Sequence, residues 1–564
     1  MTPMTIEDLI SKGYFPKELP PPFTTNDLAT KYSSIKTSLS GTISKDATRC
    51  IDFSISKVGL IRKMIKIPNP MHQCQLCEMV VDNWADIEAI YKKSKFSFSR
   101  PKLVGERAAN PTKFKDFIRR SFLASYPYIY ELKTDISKYY PTIYTHSIPW
   151  AIHGKAIAKR KPLDPTLLGN KLDFYLRQTM YAQTIGIPIG PDTSLIISEI
   201  IGCKIDEMLL SEFPSIKGYR YVDDMYFFFH SYADAEAFLL RLQAVLKEFE
   251  LQVNPEKTKI RKIPRGIEPD WIIQLRTFTI RETEIKQYND LISFFSLAFD
   301  LALQLPNEYV LSYAVEKVKR VAVVSDTNFA LLETMLLKTM IAEPSTIKEV
   351  FRILFTNKTK VRVSKIEKVL LDFILYHCPR KNDYELSWAL WFAKTFKIKI
   401  PTSVSKQLST TNDPISVLII LDLSNDGLIE KTDLDLTNWL AKLEDQYLLD
   451  ENWLLAYEIA VKKWIGSDYS YIDGVPYFKQ LLKHKISFYD PTRQIKPIDY
   501  IDKEVFEPDT ETEYENTQTE VAERNQAELF PDITYDFNEG DDTEEFNHDF
   551  DDQDDLDIDY LNYH

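Results

Sequence analysis

The spacing of hydrophobic positions divides the chain into a mixed first half and a helical second half. Residues 128–135 alternate apolar and polar side chains, as a half-buried strand does. Residues 219–229 place β-forming residues on both sides of two adjacent acids, which predicts a strand, a tight turn and a second strand. Residues 234–250 follow helical spacing, and residues 251–260 return to a strand. With a helix over residues 194–210, this order predicts a ferredoxin-like sheet.

From about residue 288 the apolar positions follow helical spacing alone. Helices are predicted over residues 291–305, 309–324, 328–341, 345–355, 366–377, 384–394, 414–423, 434–448 and 453–464. Their pairing at a spacing of roughly 35–45 residues suggests a HEAT-like solenoid. The concave surface of a solenoid would bind a long ligand such as single-stranded DNA or RNA, and a packing or oligomerisation scaffold is the alternative.

Charge is distributed unevenly along the chain. Residues 501–564 hold 24 acidic residues against Lys503 and Arg524, so residues 1–500 carry a net charge of +8 although the whole chain carries −14. A mildly basic body suits a polyanionic partner, and a block of like charges is typical of a disordered tail. This tail would be either a solubilising appendage or a nucleic-acid mimic lying in a basic cleft.

Length and composition bound the class of protein. No run of 18 apolar residues occurs and the N-terminus lacks a secretory leader pattern, so we expect no membrane span and a cytoplasmic location. The five cysteines fit reduced thiols. We predict four parts: a proline-punctuated arm (1–50), a mixed α+β domain (51–280), an all-α repeat domain (281–500) and the acidic tail (501–564).

The two acids of the predicted hairpin, Asp223 and Asp224, point to metal chemistry. Neighbouring carboxylates repel each other and lose solvation near a core, and a divalent cation between them removes that cost. Asp135 lies near the end of the strand at residues 128–135, so three carboxylates converge if the two strands are neighbours. Such a trio would hold two Mg²⁺ ions, or Mn²⁺, for phosphoryl transfer. An ordinary solvated turn is the alternative for the acid pair.

Two further stretches fit a phosphate-containing substrate. A predicted strand carries Arg62, Lys63 and Lys66 among apolar residues, and these cations would hold a triphosphate. A solvated strand face explains the same pattern equally well. Residues 186–191 place two glycines around a proline, which predicts a loop where the backbone approaches a ligand closely.

These motifs resemble the reverse transcriptase family over residues 50–280. Residues 221–224, Tyr-Val-Asp-Asp, look like the catalytic turn of the family, and Asp135 with Tyr140 resembles its first acidic motif. The resemblance implies right-hand polymerase fingers and palm. In that arrangement Asp135 and Asp223 would bridge both ions, and Asp224 would support the hairpin or one ion.

The resemblance also implies roles for single residues. Ile136 would offer its backbone carbonyl to an ion. Lys257, in the position of the fourth family motif, would protonate the leaving pyrophosphate, and a surface lysine is the alternative. Tyr140 stands where the family has an aromatic steric gate, which would exclude a ribose 2′-hydroxyl and make the product DNA.

Within the family, the chain looks like the bacterial abortive-infection and defence-associated reverse transcriptases. The features behind this likeness are residues 67–70 (Ile-Pro-Asn-Pro), the loop at residues 186–191, and the lack of an integrase or RNase H-like segment. One departure concerns the nucleotide-contacting residues Pro188, Ile189 and Gly190, since most members carry Gln where this chain has Ile189. That change puts ordinary template-directed fidelity in doubt, and some defence members polymerise without a conventional template or primer.

The sequence therefore predicts a reverse-transcriptase-type DNA polymerase that uses dNTPs in bacterial antiphage defence. Expected partners are single-stranded DNA or RNA, a non-coding RNA and further copies of the chain. If synthesis is protein-primed, a tail tyrosine would supply the hydroxyl. The candidates are Tyr514, Tyr535, Tyr560 and Tyr563. Conventional RNA-templated copying and a non-catalytic phage-sensing scaffold are the alternatives.

Overall fold

The strands form two antiparallel sheets in the computed structural model, which describes residues 4–498 except 40–45, 60, 104, 265, 267 and 321–323. They are β1 (Ile51–Ser56), β2 (Arg62–Ile67), β3 (Tyr130–Asp135), β4 (Lys217–Tyr221), β5 (Asp224–Phe229) and β6 (Lys259–Lys262). β1 and β2 pair as a hairpin, and the others form a sheet in the order β4–β5–β3–β6. This order, with helices between β3 and β4 and between β5 and β6, is ferredoxin-like, so the predicted sheet is confirmed.

Helices account for most of the remaining regular structure. Those before residue 280 are α1 (Ile6–Ser11), α2 (Asn26–Leu39), α3 (Pro70–Asp82), α4 (Trp84–Tyr91), α5 (Phe114–Ala124), α6 (Tyr139–Thr142), α7 (Ser147–His153), α8 (Lys155–Arg160), α9 (Leu168–Thr179), α10 (Asp192–Glu212), α11 (Tyr232–Glu248) and α12 (Asp270–Thr277). Those after it are α13 (Glu284–Gln304), α14 (Val310–Lys319), α15 (Asp326–Ala342), α16 (Ile347–Thr356), α17 (Val363–His377), α18 (Asp383–Thr395), α19 (Thr402–Leu408), α20 (Pro414–Asn425), α21 (Thr437–Leu440), α22 (Trp453–Lys462) and α23 (Pro476–Lys483). The chain is therefore a mixed α and β structure, as predicted.

The central strand β5 is buried along its whole length, which explains why its sequence is an unbroken apolar and aromatic run after Asp224. On one face, Phe227 packs against Phe238 of α11 with ring centroids 4.5 Å apart. On the other face, Tyr226 packs against Phe117 of α5 at 5.3 Å. Helices thus cover both faces of the sheet and leave the strand ends to carry polar groups.

Most of the helices predicted after residue 288 are found within a few residues of their expected bounds. The predicted helix at 434–448 is wrong: the segment holds the four-residue α21 and a 3₁₀ turn at Asp445–Leu448. The Asp435 carboxylate accepts a hydrogen bond from the Thr437 N–H, which competes with a continuous helix. The HEAT-like repeat stays a prediction.

Hydrogen bonds join parts of the described chain that are distant in sequence, and three of them illustrate this. The Tyr14 hydroxyl donates to the Pro68 carbonyl at 2.5 Å, and the Trp388 indole N–H donates to the Glu18 carbonyl at 2.8 Å. The Tyr477 hydroxyl donates to the carbonyl of Pro70 at 3.2 Å. Residues 1–498 belong to one compact unit, and the predicted boundaries within it stay predictions.

Two sequence predictions concern segments rather than the folded core. Among the described residues, no helix has the length and apolar character needed to cross a membrane. The acidic tail at 501–564 and its four candidate priming tyrosines lie outside the described residues.

Candidate active site

The turn between β4 and β5 brings the three predicted carboxylates together. Val222 and Asp223 form the turn, and Asp224 begins β5. Asp224 pairs in register with Asp135, the last residue of β3. The N–H of Ile136 donates to the Asp223 carbonyl at 3.2 Å, which ties the turn to the end of β3. The sequence predicted that these carboxylates converge if their two strands are neighbours, and β3 and β5 are neighbouring strands.

The three carboxylates are held in an electrostatically unfavourable position. Burial, with the Asp224 charge beside it, raises the pKa of Asp223 to about 7. Burial likewise raises the pKa of Asp224 to about 6. Asp135 is 4% exposed, and its Oδ1 atom is buried without a hydrogen-bond partner among the described residues. Buried polar oxygens are normally paired, so this Oδ1 is available as a ligand for a divalent cation, although the described residues contain no preformed cluster of three or more metal-ligating side chains.

Lys257 supplies a positive charge at the same place. Its Nζ lies 2.7 Å from Asp135 Oδ2, and its side chain is 42% exposed. Burial alone would lower the pKa of Lys257, but the hydrogen bond to Asp135 and the nearby acids outweigh it and raise that pKa. The segment before β6 is held in place because the Asn254 N–H donates to the Asp135 carbonyl at 2.8 Å.

Tyr140 lies beside the acids and is tied to the glycine loop. The Ser198 hydroxyl donates to the Tyr140 hydroxyl at 3.3 Å. Burial raises the pKa of Tyr140, and the charge of Asp223 acts in the same direction. The Ile187 N–H donates to the Tyr140 carbonyl at 3.0 Å. The candidate gate and the candidate nucleotide loop are thus one connected structure.

The loop itself packs against β2. The Ile189 carbonyl accepts a hydrogen bond from the Lys66 N–H at 2.9 Å, and Pro188 is buried. Gly190 has φ +137°, and a Cβ there would lie 2.9 Å from Ile65 Cγ2. Gly190 therefore allows close approach to the neighbouring strand, in a backbone conformation that other residues rarely adopt.

The three cations of β2 have different surroundings. The Arg62 guanidinium donates two hydrogen bonds of 2.7 Å to the Glu385 carboxylate, so its charge is matched within the protein, and its contact with a triphosphate stays a prediction. Lys66 lies 2.5 Å from Asp52. Lys63 is placed on the opposite strand face, where burial lowers its pKa while the charges of Glu18 and Asp223 oppose that shift.

Lys57 is a further candidate site residue that the sequence did not predict. Burial and the charge of Lys257 lower the pKa of Lys57, while Asp223 opposes them. It follows β1 directly, in the connection that leads to β2. The sequence shows a lysine directly after a predicted strand, but it does not show that β1 pairs with β2. Without that pairing, Lys57 cannot be placed near the acids.

A ferredoxin-like sheet with carboxylates at the ends of its two central strands and lysines around them is the arrangement expected of a palm-type nucleotidyltransferase site. Residues 81–286 match the family model described as "Reverse transcriptase (RNA-dependent DNA polymerase)". This match supports the predicted enzyme class, RNA-directed DNA polymerase.

Similar solved structures are telomerases, and the likeness is weak. The apo telomerase of Candida tropicalis lacking its C-terminal domain matches with TM-score 0.28 and 16% identity, over 43% of this chain and 56% of that one. The apo telomerase of Candida tropicalis gives 0.29 and 14%, over 70% and 74%. Telomerase from Candida albicans with a TWJ fragment of telomeric RNA gives 0.25 and 13%, over 69% and 70%. This chain thus spans about half of the first of these. No curated protein sequence matches it.

Proposed function

We propose that this protein is a DNA polymerase of reverse transcriptase type that transfers nucleotidyl groups from dNTPs to a growing 3′ end. The observation that carries the proposal is the buried Oδ1 of Asp135 beside Asp223 and Asp224, which has no hydrogen-bond partner within the part of the chain that the structure describes. Two Mg²⁺ ions, or Mn²⁺, would be held by these carboxylates and the Ile136 carbonyl. When bound, the ions would activate the attacking 3′-hydroxyl and stabilise the pyrophosphate leaving group.

Residues around the carboxylates would then bind and orient the nucleotide. Lys63 and Lys57 would contact the triphosphate, because both are partly buried cations in the field of Asp223. Lys257 would deliver a proton to the departing pyrophosphate oxygen. Its contact with Asp135 keeps it protonated until the carboxylate is engaged elsewhere. Tyr140 would close the space next to the sugar and select deoxynucleotides.

The mode of synthesis that we propose is protein-primed and independent of an added template, in bacterial antiphage defence. Its support is the sequence departure at Ile189, which leaves no side-chain amide in the loop, and the phenols of the tail. The protein would be cytoplasmic and homo-oligomeric. Its helical half would hold single-stranded DNA or RNA, including a non-coding RNA. Conventional RNA-templated copying would use the same carboxylates, and a non-catalytic scaffold would not need them.

The test is to incubate purified protein with Mg²⁺ and labelled dNTPs, with and without an RNA template and primer. Asp223→Ala should abolish incorporation, and Asp300→Ala, an exposed acid on α13, should not. A product that shifts on protease treatment and a tyrosine adduct by intact mass would support protein priming. Incorporation only with template and primer would establish conventional copying. Incorporation that survives in Asp223→Ala would refute the site.

The defence role is tested in cells. Bacteria expressing the wild-type chain should give fewer phage plaques than bacteria expressing Asp223→Ala at equal protein level. Plaque counts for both strains equal to those of an empty-vector strain, over a broad phage panel, would contradict the defence role. Counts that both proteins reduce equally below the empty-vector strain would favour the non-catalytic scaffold.

A further inference from the structure

The residue before Asp223 has a strained backbone that is held by two side chains. Val222 has φ +55°, a region that β-branched residues rarely adopt. Its N–H donates to Ser99 Oγ at 2.7 Å, and its carbonyl accepts from the Arg220 guanidinium at 2.9 Å. Both peptide groups that flank the strained torsion are therefore fixed by side chains.

Both of those side chains end on the same carboxylate, Glu199 of α10. Arg220 donates to Glu199 at 2.8 and 3.1 Å, and the Ser99 hydroxyl donates to Glu199 Oε2 at 2.9 Å. Asp206, two turns further along α10, accepts three more hydrogen bonds from Arg220 at 2.8–3.1 Å. Glu199 is 0% and Arg220 1% exposed. We call Glu199, Arg220 and Ser99 the turn clamp.

The helix is shaped to receive the guanidinium. Gly202 lies on the same face of α10, and a Cβ there would come within 2.6 Å of the Arg220 guanidinium carbon. A buried ion pair adds little net stability compared with apolar packing, so stability alone does not explain this arrangement. What the arrangement does provide is a fixed position for the peptide that carries Asp223.

We propose that the turn clamp positions Asp223 for metal binding, so that Glu199, Arg220 and Ser99 set the affinity of the site for its divalent ions without touching them. The inference rests on the proposed function, because those ions are the ones that nucleotidyl transfer requires. Without the clamp, Val222 relaxes to an ordinary backbone conformation, and metal binding must restore the strained one. The apparent affinity for the ion is then the intrinsic affinity multiplied by the fraction of molecules in the binding-competent conformation.

Ser99→Ala and Ser97→Ala form a matched pair of variants. Each removes one hydroxyl that donates to Glu199, Ser99 to Oε2 and Ser97 to Oε1. Ser99→Ala also leaves the Val222 N–H without its acceptor. Binding of Mn²⁺ to the purified full-length protein is measured by the electron paramagnetic resonance signal of free Mn²⁺, alongside thermal unfolding. We expect about tenfold weaker binding for Ser99→Ala, as for one lost buried hydrogen bond, and less than about twofold for Ser97→Ala.

Nucleotide incorporation gives a second readout. For Ser99→Ala, half-saturation by Mg²⁺ should rise by a similar factor, while the KM for dNTP at saturating Mg²⁺ should stay near that of the wild type. Equal shifts in Mn²⁺ affinity for both variants, no shift for Ser99→Ala, or no Mn²⁺ binding by the wild type would overturn the inference. If the Mn²⁺ affinities behave as expected but no variant incorporates nucleotide, the proposed polymerase activity fails and the turn clamp stands.

Discussion

Replacing Asp223 by asparagine should stabilise the metal-free protein. In the folded state this carboxyl is half-buried between Asp135 and Asp224, and burial raises its pKa from 3.8 to about 7. A raised pKa means that the folded state holds the proton more tightly than the unfolded state does. The associated stability is present below about pH 4 and is lost as the pH rises through 7. At pH 8 the ionised carboxylate therefore destabilises the fold.

The size of the effect follows from the shift. A rise of about three pKa units corresponds to roughly 4 kcal/mol at 1.36 kcal/mol per unit. Solvent reaches part of the side chain and screens its charge, so we expect about 1–2 kcal/mol for Asp223→Asn at pH 8. In a unit of this size that is a rise in Tm of about 1–2 °C. Below about pH 4 the carboxyl is neutral in both the folded and the unfolded state, so the difference should nearly vanish there.

The assay is thermal unfolding in a metal-chelating buffer at several pH values. Asp300→Asn, at an exposed position on α13, serves as the control and should leave Tm unchanged. Millimolar Mg²⁺ should then raise the Tm of the wild type more than that of Asp223→Asn, because binding to the folded state stabilises it. A lower Tm for Asp223→Asn at pH 8 without metal would refute the electrostatic reasoning.

Three further predictions concern residues around the acids. Lys63→Ala should raise the steady-state KM for dNTP about tenfold, because a charged phosphate contact is lost. Lys66→Ala should change that KM little. Equal effects of the two substitutions would contradict the assignment of the phosphate contact to Lys63 rather than Lys66. Tyr140→Ala should increase the incorporation of ribonucleotides relative to deoxynucleotides, and an unchanged ratio would remove its role as a gate. Glu385→Gln should lower the free energy of unfolding by about 1–3 kcal/mol, because it leaves the Arg62 guanidinium without its counter-charge. Chemical denaturation measures this change. An unchanged denaturation midpoint would show that solvent compensates for the lost ion pair.

The sheet and its acids could be predicted because their signals are local. The aromatic run after Asp224 and the alternation before Asp135 each mark a strand within about ten residues. Once the order of strands and helices is known, few topologies remain, and one of them places the ends of β3 and β5 side by side. The register that pairs Asp135 with Asp224 is fixed in addition by which faces of the two strands are buried, and the structure supplies it.

The partners of the charged residues could not be predicted in this way. Arg62 has the same strand pattern whether it faces solvent, a ligand or Glu385, which lies 323 residues later. The turn clamp likewise unites Ser99, Glu199 and Arg220 from three separate segments. Local periodicity gives the face on which a side chain lies, but only tertiary packing decides what that face meets.

The positions of the positive charges explain why some buried acids are permanently paired within the protein while the acids of the candidate site are not. Glu199 is paired with the buried Arg220, whose charge outweighs the effect of burial and lowers the pKa of Glu199. The site acids instead face Lys257, whose side chain is 42% exposed and therefore able to move into solvent. A permanent buried arginine at the site would satisfy Asp135 and compete with any metal. Because Arg220 lies beneath the turn and pairs with Glu199, it holds the turn in place, and the carboxylates of the turn would be left available to a divalent cation.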